Sequence, residues 1–386
     1  MNILYICGSN PESATTGSEL RTRQLYRSLS KLGTVYVLCF ADEVVDCLEK
    51  RIRKPVVRSK HRFLRRILHS LVCRFFNFVA PSCPKWFPSP VPIDMDAVFP
   101  GIAFDLVVER YMMLAGRIWP WRFGPLWIDV DDHPRQVHEL IDAPRRGAFR
   151  RFLADRLMRK YIRRILGKCE GCWLSNPEQV PAADEGSKWH LLENIPPELP
   201  PWYKADAGRS CALLTVGHMK YVPNAEGVMR FVKEIWPLAR RKHPELEYWI
   251  AGSGLPDDCV REIGSCDGVR YLGFVENVDS LYEKALAAVV PVYVGGGTCI
   301  KTMEALSRSR VCLSTAFGAR GIVHGSDCDC GVLQYGTAED FVLQLEKVFS
   351  IDRIKLESSA KEYADARFSE ATFDMQCRVC IEESRK

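Results

Sequence analysis

A chain of 386 residues that is 47% hydrophobic is longer than one ordinary domain and has apolar material for two cores. No run of eighteen apolar residues occurs, which argues against a spanning helix. The net charge is only +5, but from Arg51 to Pro92 there are ten Lys/Arg and no acid, so the remainder is net negative and the local concentration is the partner signal.

The start, "MNILYICGSN", lacks a basic leader and a small-residue cleavage site, so it reads as a first strand and not as a signal peptide. "GSELRTRQLYRSLSKLG" follows as a helix, with Ser18 as its cap, Leu20, Leu25 and Leu29 as its apolar stripe and Gly33 as its stop. "TVYVLCF" is the next strand, and a β-α-β unit implies parallel strands with a right-handed crossover. The basic segment comes next. Within it Phe63, Leu64, Ile67, Leu68, Leu71, Val72 and Phe75 recur at helical spacing with arginines between them. That describes a basic amphipathic helix suited to an anionic membrane surface, although a solvated face packed on its own domain has the same pattern. No nucleic-acid recognition motif accompanies the charge, so a nucleic-acid partner is not expected.

"FDLVVER" and "LWIDVDD" are strands that end in charged residues, and in open α/β sheets ligands gather at the carboxyl ends of strands. Asp131, Asp132 and His133 stand just after the second of these. They suit proton handling, and equally a cap for the helix "RQVHELI". Residues 145–168 read as a very basic helix, and "GCWLSNP" as a strand. The proline-rich "ENIPPELPPWYKADAGRS" reads as a linker. A second α/β series then runs through the strands "CALLTVG", "LEYWIAG", "VRYLGF", "AAVVPVY" and "RVCLSTA". The expected organisation is a first domain over 1–200 with the basic insertion near 51–92, a second over 208–368, and a terminal helix over 369–386 that can return to the first.

Sixteen cysteines are scattered, several inside apolar runs such as Cys7, Cys39 and Cys312, which fits a reducing, cytoplasmic compartment. The pairs Cys169/Cys172, Cys377/Cys380 and Cys328/Cys330 are too dispersed to suggest four converging ligands, and no metal is expected.

The most informative stretch is "VGGGTCIKTMEAL", from Val294 to Leu306. Glycine lets backbone N–H groups approach a ligand, and the first turn of a helix leaves such groups unpaired at a positive dipole end. This suits a diphosphate. Thr298 is the expected N-cap, and Ile300, Met303 and Leu306 would face the sheet. Lys301 and Glu304 share another face, matching a diphosphate and a ribose respectively. A tight turn with a surface Lys–Glu pair satisfies the same pattern.

At this point a resemblance enters. "LLTVGHMKYVPNAEGVMRFVKEIWPLARRKHPELEYWIAGSG", "VRYLGFVENVDSLYEKALAAVVPVY", "GGGTCIKTMEALS" and "VCLSTAFGARGI" resemble, in order, the donor domain of GT-B glycosyltransferases, specifically family-4 retaining enzymes that build exported polysaccharides. "TGSELRTRQLYRSLSKLGTVYVLCFADE" is similar to the opening of that subgroup, and only about residues 48–100 fall outside the likeness. The resemblance implies an α/β, GT-B fold: two facing Rossmann-like domains with a nucleotide-sugar cleft between them. It implies retaining transfer from a UDP- or GDP-sugar to a lipid-linked or polysaccharide acceptor, with the leaving diphosphate helping to deprotonate the acceptor and no cofactor. Donor binding falls to Gly217, His218, Lys220, Gly252, Phe274, Val275, Gly296, Gly297, Thr298, Lys301 and Glu304. The acceptor side falls to Gly17, Arg21, Asp131 and Asp132, and the catalytic roles to Asp131, His133, Lys220 and Glu304. The chain departs from the pattern at Gly296, where many relatives have a first glutamate, and at His218 and Asn224, where they have an arginine and a lysine; Lys220 stands close by. A GT-B-like nucleotide-sugar epimerase and a non-catalytic nucleotide-sugar binding protein are the alternatives. The expected location is the cytoplasm, peripheral at the inner face of the membrane.

Overall fold

The computed structural model describes residues 1–12, 17–41, 51–56, 62–79, 85–87, 90–141, 146–181, 188–199, 210–295, 298–323, 330–350 and 353–384. The chain divides into two compact units: Met1–Glu193 with Phe373–Lys386, and Asn194–Thr372.

The first unit is built on a seven-stranded parallel sheet. Its strands are β1 (Asn2–Cys7), β2 (Thr34–Cys39), β3 (Ile52–Arg53), β4 (Leu106–Arg110), β5 (Leu126–Asp131), β6 (Gly171–Leu174) and β7 (Trp189–Leu191), in the spatial order β3-β2-β1-β4-β5-β6-β7. Parallel strands are covered on both faces, so they read as unbroken apolar runs. Ile3 to Cys7 are all fully buried, as are Val107 and Val108. The helices are α1 (Gly17–Ser30), α2 (Arg62–Val79), α3 (Met95–Val98), α4 (Met112–Ile118), α5 (Pro134–Ile141) and α6 (Ala148–Leu166). Helix α1 begins at Gly17, one residue before the serine expected to cap it, so Ser18 lies inside the first turn. The side chains of Phe63 and Leu64, part of the expected amphipathic stripe, lie outside the described residues.

The second unit has a six-stranded parallel sheet in the order β10-β9-β8-β11-β12-β13. The strands are β8 (Ala212–Val216), β9 (Glu247–Ala251), β10 (Val269–Gly273), β11 (Ala287–Val290), β12 (Cys312–Ser314) and β13 (Val332–Gln334). The expected helix after β8 is present but interrupted. It runs as α7 (Val222–Arg230), a π-helical turn over Phe231–Ile235, and α8 (Trp236–Lys242). Pro237 has no N–H to give to the preceding turn, which accounts for the break in the ladder. Then come α9 (Asp257–Gly264), α10 (Asp279–Lys284), α11 (Ile300–Ser307), α12 (Ala338–Phe349) and α13 (Arg353–Arg367). The last helix, α14 (Glu370–Glu383), starts in the second unit, and its residues from Phe373 belong to the first. There Trp127 Nε1 donates to Ser384 Oγ at 3.1 Å and Lys31 pairs with Asp374 at 2.6 Å.

No described helix is long and apolar enough to cross a membrane. Cys169 and Cys172 are buried with their sulfurs 3.6 Å apart, and Cys328 lies outside the described residues.

Candidate functional site

In each unit the singled-out residues gather at the carboxyl ends of strands. In the second unit three adjacent strands run into glycines there. The N–H of Gly217, after β8, donates to Ala251 O at 3.0 Å, and that of Gly252, after β9, donates to Gly273 O at 2.7 Å. Gly252 has φ +134°, and a Cβ on it would lie 1.7 Å from Gly217 O, so this crossing of backbones admits no side chain. A Cβ on Gly217 would lie 2.6 Å from Lys301 Cε and 3.2 Å from Asn224 Nδ2. The Lys301 stem therefore reaches over the end of β8. Asn224 is buried; its Nδ2 donates to His218 O at 2.8 Å, while its Oδ1 has no hydrogen-bond partner among the described residues. His218 and Lys220 are exposed, and the Lys220 backbone N–H donates to His218 Nδ1 at 3.3 Å. Past β10, Phe274 is 77% exposed and Val275 is half-buried.

Helix α11 positions the acid and the base. Met303 and Leu306 are fully buried, Ile300 partly so, which turns Lys301 and Glu304 away from the core. The expected cap is corrected here: Cys299 occupies the N-cap position without a side-chain bond, and buried Thr298 instead accepts from Asn194 Nδ2 at 3.1 Å. Thr298 has turned inward, so it does not cap. Gly296 and Gly297 lie outside the described residues. Glu304 is half-buried. Burial pushes its carboxyl above the usual value, Arg308 and Lys301 oppose that, and Asp279 adds to it. Arg308, 3% exposed, bonds Asp279 Oδ1 through Nε at 2.7 Å and lies over the Tyr282 ring at 4.9 Å. The sequence reading missed Arg308 and Asp279. The helical offset of four from Glu304 was a usable signal for the first, while α10 meets it only through the fold.

In the first unit Arg21, from α1, is 1% exposed and grips Asp129 with Nε at 2.9 Å and Nη2 at 2.6 Å. Its Nη2 also donates to Leu192 O at 2.9 Å. Arg110, ending β4, pairs with Asp129 at 2.9 Å and with Asp131 at 2.9 Å, and stacks 3.8 Å above the Tyr111 ring. Two arginines and two aspartates thus form a cluster in which only the Asp131 side chain, 17% exposed, reaches solvent. Burial raises the Asp131 carboxyl, but Arg110 and Arg21 outweigh it and hold it down at about 2. The backbone at this point is unusual: Asp131 has φ +67° and Tyr111 φ +73°, a left-handed conformation that costs a non-glycine residue about 1–3 kcal/mol and persists only when its surroundings enforce it. The Asp131 carbonyl accepts from Ser175 N–H at 2.9 Å and from its hydroxyl at 3.1 Å. Gln179 links the next two residues, donating to Asp132 Oδ1 at 3.4 Å and accepting from His133 N–H at 3.2 Å. His133 is 6% exposed against Trp189 at 5.0 Å. Gly17 opens α1, one turn before Arg21. Arg110 and Asp129 were missed, although Asp129 and Asp131 stand two apart on one face of a strand.

Residues 210–350 match the family model "Glycosyl transferases group 1". An uncharacterized 44.6 kDa protein in the cps region of Klebsiella pneumoniae is 22% identical over 147 residues, which is 36% of this chain and 38% of that relative's length. Among solved structures, sucrose-phosphate synthase from Thermosynechococcus elongatus aligns with a TM-score of 0.66 at 14% identity, over 99% of this chain and 98% of that one. HepE of Anabaena, in complex with UDP, aligns at 0.62 and 11% identity, over 99% and 100%. WaaG, a glycosyltransferase involved in lipopolysaccharide biosynthesis, aligns at 0.58 and 15% identity, over 98% of each. At these identities the likeness establishes the fold, which is GT-B.

Proposed function

We propose, for a chain of GT-B fold whose second unit carries a group 1 glycosyltransferase domain, a retaining transfer of a sugar from a UDP- or GDP-sugar to a lipid-linked or polysaccharide acceptor. The observation that carries the reading is the convergence in the second unit. The Lys301 stem lies across Gly217 at the end of β8, beside the Asn224 amide, and Glu304 follows one helical turn on. A diphosphate beside the Lys301 ammonium and ribose hydroxyls on the Glu304 carboxylate fit that spacing. Gly217, His218, Lys220, Gly252, Phe274, Val275 and Thr298 are the remaining donor-side candidates that the structure describes. The bound UDP of HepE, a protein of the same fold, supports a nucleotide ligand.

The first unit supplies the acceptor side in this reading. A carboxylate held at about 2 is a poor base near neutral pH, so Asp131 orients an acceptor hydroxyl, and the leaving diphosphate takes its proton. The protein positions the substrates and stabilises the departing charge, with no metal required. A chain held peripherally at an anionic membrane surface would meet a lipid-linked acceptor there.

A thermal-shift screen of UDP-, GDP- and ADP-sugars tests donor binding, because a ligand specific to the folded state raises its stability as concentration exceeds Kd. The stabilising donor, radiolabelled in its sugar, should then give a labelled glycolipid or glycan with the anomeric configuration kept. Epimerised donor without transfer would replace this reading with an epimerase. Binding without turnover would replace it with a carrier role, and no stabilisation by any donor would end it.

A further inference from the structure

Helix α2 turns an apolar stripe outward. Ile67, Leu71, Phe75 and Phe78 lie at helical spacing and are all exposed, Leu71 at 56% and Phe78 at 57%. The opposite face already has its core partner: Val79 is buried, Phe76 packs on the core cluster, and His69 lies 4.3 Å from Phe87. The outward stripe is therefore a second apolar face, not a face in search of its own domain.

The neighbouring helix α6 extends it. The two helices touch, and the Arg150 guanidinium sits 4.1 Å over the Phe78 ring. Flanking Arg150, Phe149 and Phe152 are 75% and 62% exposed. Single exposed apolar residues are ordinary, but two adjacent helices showing aromatic and aliphatic side chains together mark an interaction surface. Its charge is one-sided. Helix α2 contains no acid. Helix α6 carries seven Lys/Arg against Asp155 alone, and Asp155 is occupied by Arg135 at 3.1 Å and Arg159 at 2.8 Å.

We propose that α2 and α6 together form one docking face for an anionic lipid bilayer, with Phe149 and Phe152 entering the headgroup–acyl boundary beside the α2 stripe. This deepens the membrane association suggested above but stands apart from the transfer reaction. A bilayer offers both components the face requires, anionic headgroups for the arginines and an apolar layer beneath them. A nucleic acid offers the anions without an apolar layer for Ile67 and Leu71. The long run of basic residues in the sequence points to α2 alone; the aromatic pair on α6 becomes relevant only because the fold lays the two helices together.

Sedimentation of the full chain with phosphatidylcholine vesicles, with and without a third of phosphatidylglycerol, tests this. The chain should pellet with the anionic vesicles at low salt, leave them as salt shortens the reach of the charges, and stay in the supernatant with phosphatidylcholine alone. The double variant Phe149→Ser with Phe152→Ser should lower the partition coefficient about tenfold or more, as should Leu71→Ser with Phe75→Ser. These side chains are exposed, so urea midpoints should match wild type, which separates lost binding from lost folding. A wild-type chain that ignores anionic vesicles at low salt overturns the proposal and leaves the face to a macromolecular partner or a second copy. An α6 double variant that binds like wild type overturns the two-helix surface. Nucleotide-sugar stabilisation, measured on the same samples, reports separately on the transfer reading.

Discussion

Each unit gathers charge at the carboxyl ends of its strands, but the two gatherings differ in kind. In the first unit Arg21, Arg110, Asp129 and Asp131 are ion-paired with one another in near-complete burial, with Arg110 Nε the atom left without a partner among the described residues. In the second, the Glu304 carboxyl feels Arg308 and Lys301 only at longer range, and Asn224 Oδ1 has no hydrogen-bond partner among the described residues. The ion pair nearby, Arg308 with Asp279, borders Glu304, with Arg308 Nη1 donating to the Glu304 carbonyl at 3.3 Å. A closed cluster spends its charge on fixing backbone, here two residues in the left-handed region. An open one keeps its charge for something that arrives. The proposed reading, with Asp131 orienting an acceptor and Lys301 with Glu304 binding a donor, rests on this difference, and it can be broken from either side.

The largest effect should come from opening the closed cluster. Arg110→Met removes a cation that two buried carboxylates share, and breaking a buried pair costs about 3–5 kcal/mol because the remaining charge is stranded. Urea unfolding should show a loss of that size. A loss below about 1 kcal/mol would mean that Arg21 suffices and that the cluster is less cooperative than its geometry implies.

The open site should respond in the opposite way. Glu304→Gln should not lower the urea midpoint, because burial already disfavours the carboxylate there, yet it should cost donor affinity about 1.5–3 kcal/mol, roughly tenfold or more. Calorimetric titration with the stabilising nucleotide measures it. The carboxyl titrates above the usual carboxylate range, so wild-type affinity should begin to fall at a higher pH than an ordinary glutamate would give, and the variant should lack that limb. Unchanged affinity would remove Glu304 from the site and collapse the contrast.

How much of this was legible beforehand depends on distance along the chain. The strands were readable because parallel strands are buried on both faces, as in "NILYIC" and "AAVV", and the α11 face was readable because Lys301 and Glu304 sit one helical turn apart. The closed cluster was not. It depends on β4 and β5 pairing so that Arg110 lies opposite Asp129, and on α1 delivering Arg21 from 108 residues away. Thr298 was misread as a cap for the same reason, since its actual partner Asn194 is 104 residues distant. Local pattern gives a residue's face; it does not say who waits there.

Carboxyls shifted in opposite directions sharpen the comparison with pH. Asp131 is lowered to about 2 from an ordinary 3.8, so its contribution is present above 3.8 and is lost as pH falls toward 2. That shift corresponds to about 2 kcal/mol. Asp131→Asn should be less stable than wild type by about that much at neutral pH and converge on it in acid. Glu109, fully buried on the neighbouring β4, is pushed well above the usual value by burial. Its contribution is fully present below the ordinary value and declines as pH rises. Glu109→Gln should therefore gain on wild type from acid to neutral pH, the reverse of Asp131→Asn. Parallel pH curves for the two variants would show that neither burial nor the arginines control these groups.

The smallest effect separates phosphate from ribose within the open site. Lys301 is partly exposed, and a contact to a diphosphate there should be worth about 1 kcal/mol, or roughly fivefold. Lys301→Ala should weaken UDP by that factor and leave uridine, which has the ribose but no phosphate, nearly unchanged. The stability of the variant should stay within about 0.5 kcal/mol of wild type, because a surface side chain without an ion pair has little to lose. If UDP and uridine weaken together, the lysine stem is acting through its packing over Gly217. The second unit would then keep a preformed strand-end surface, but Lys301 would no longer be its charge.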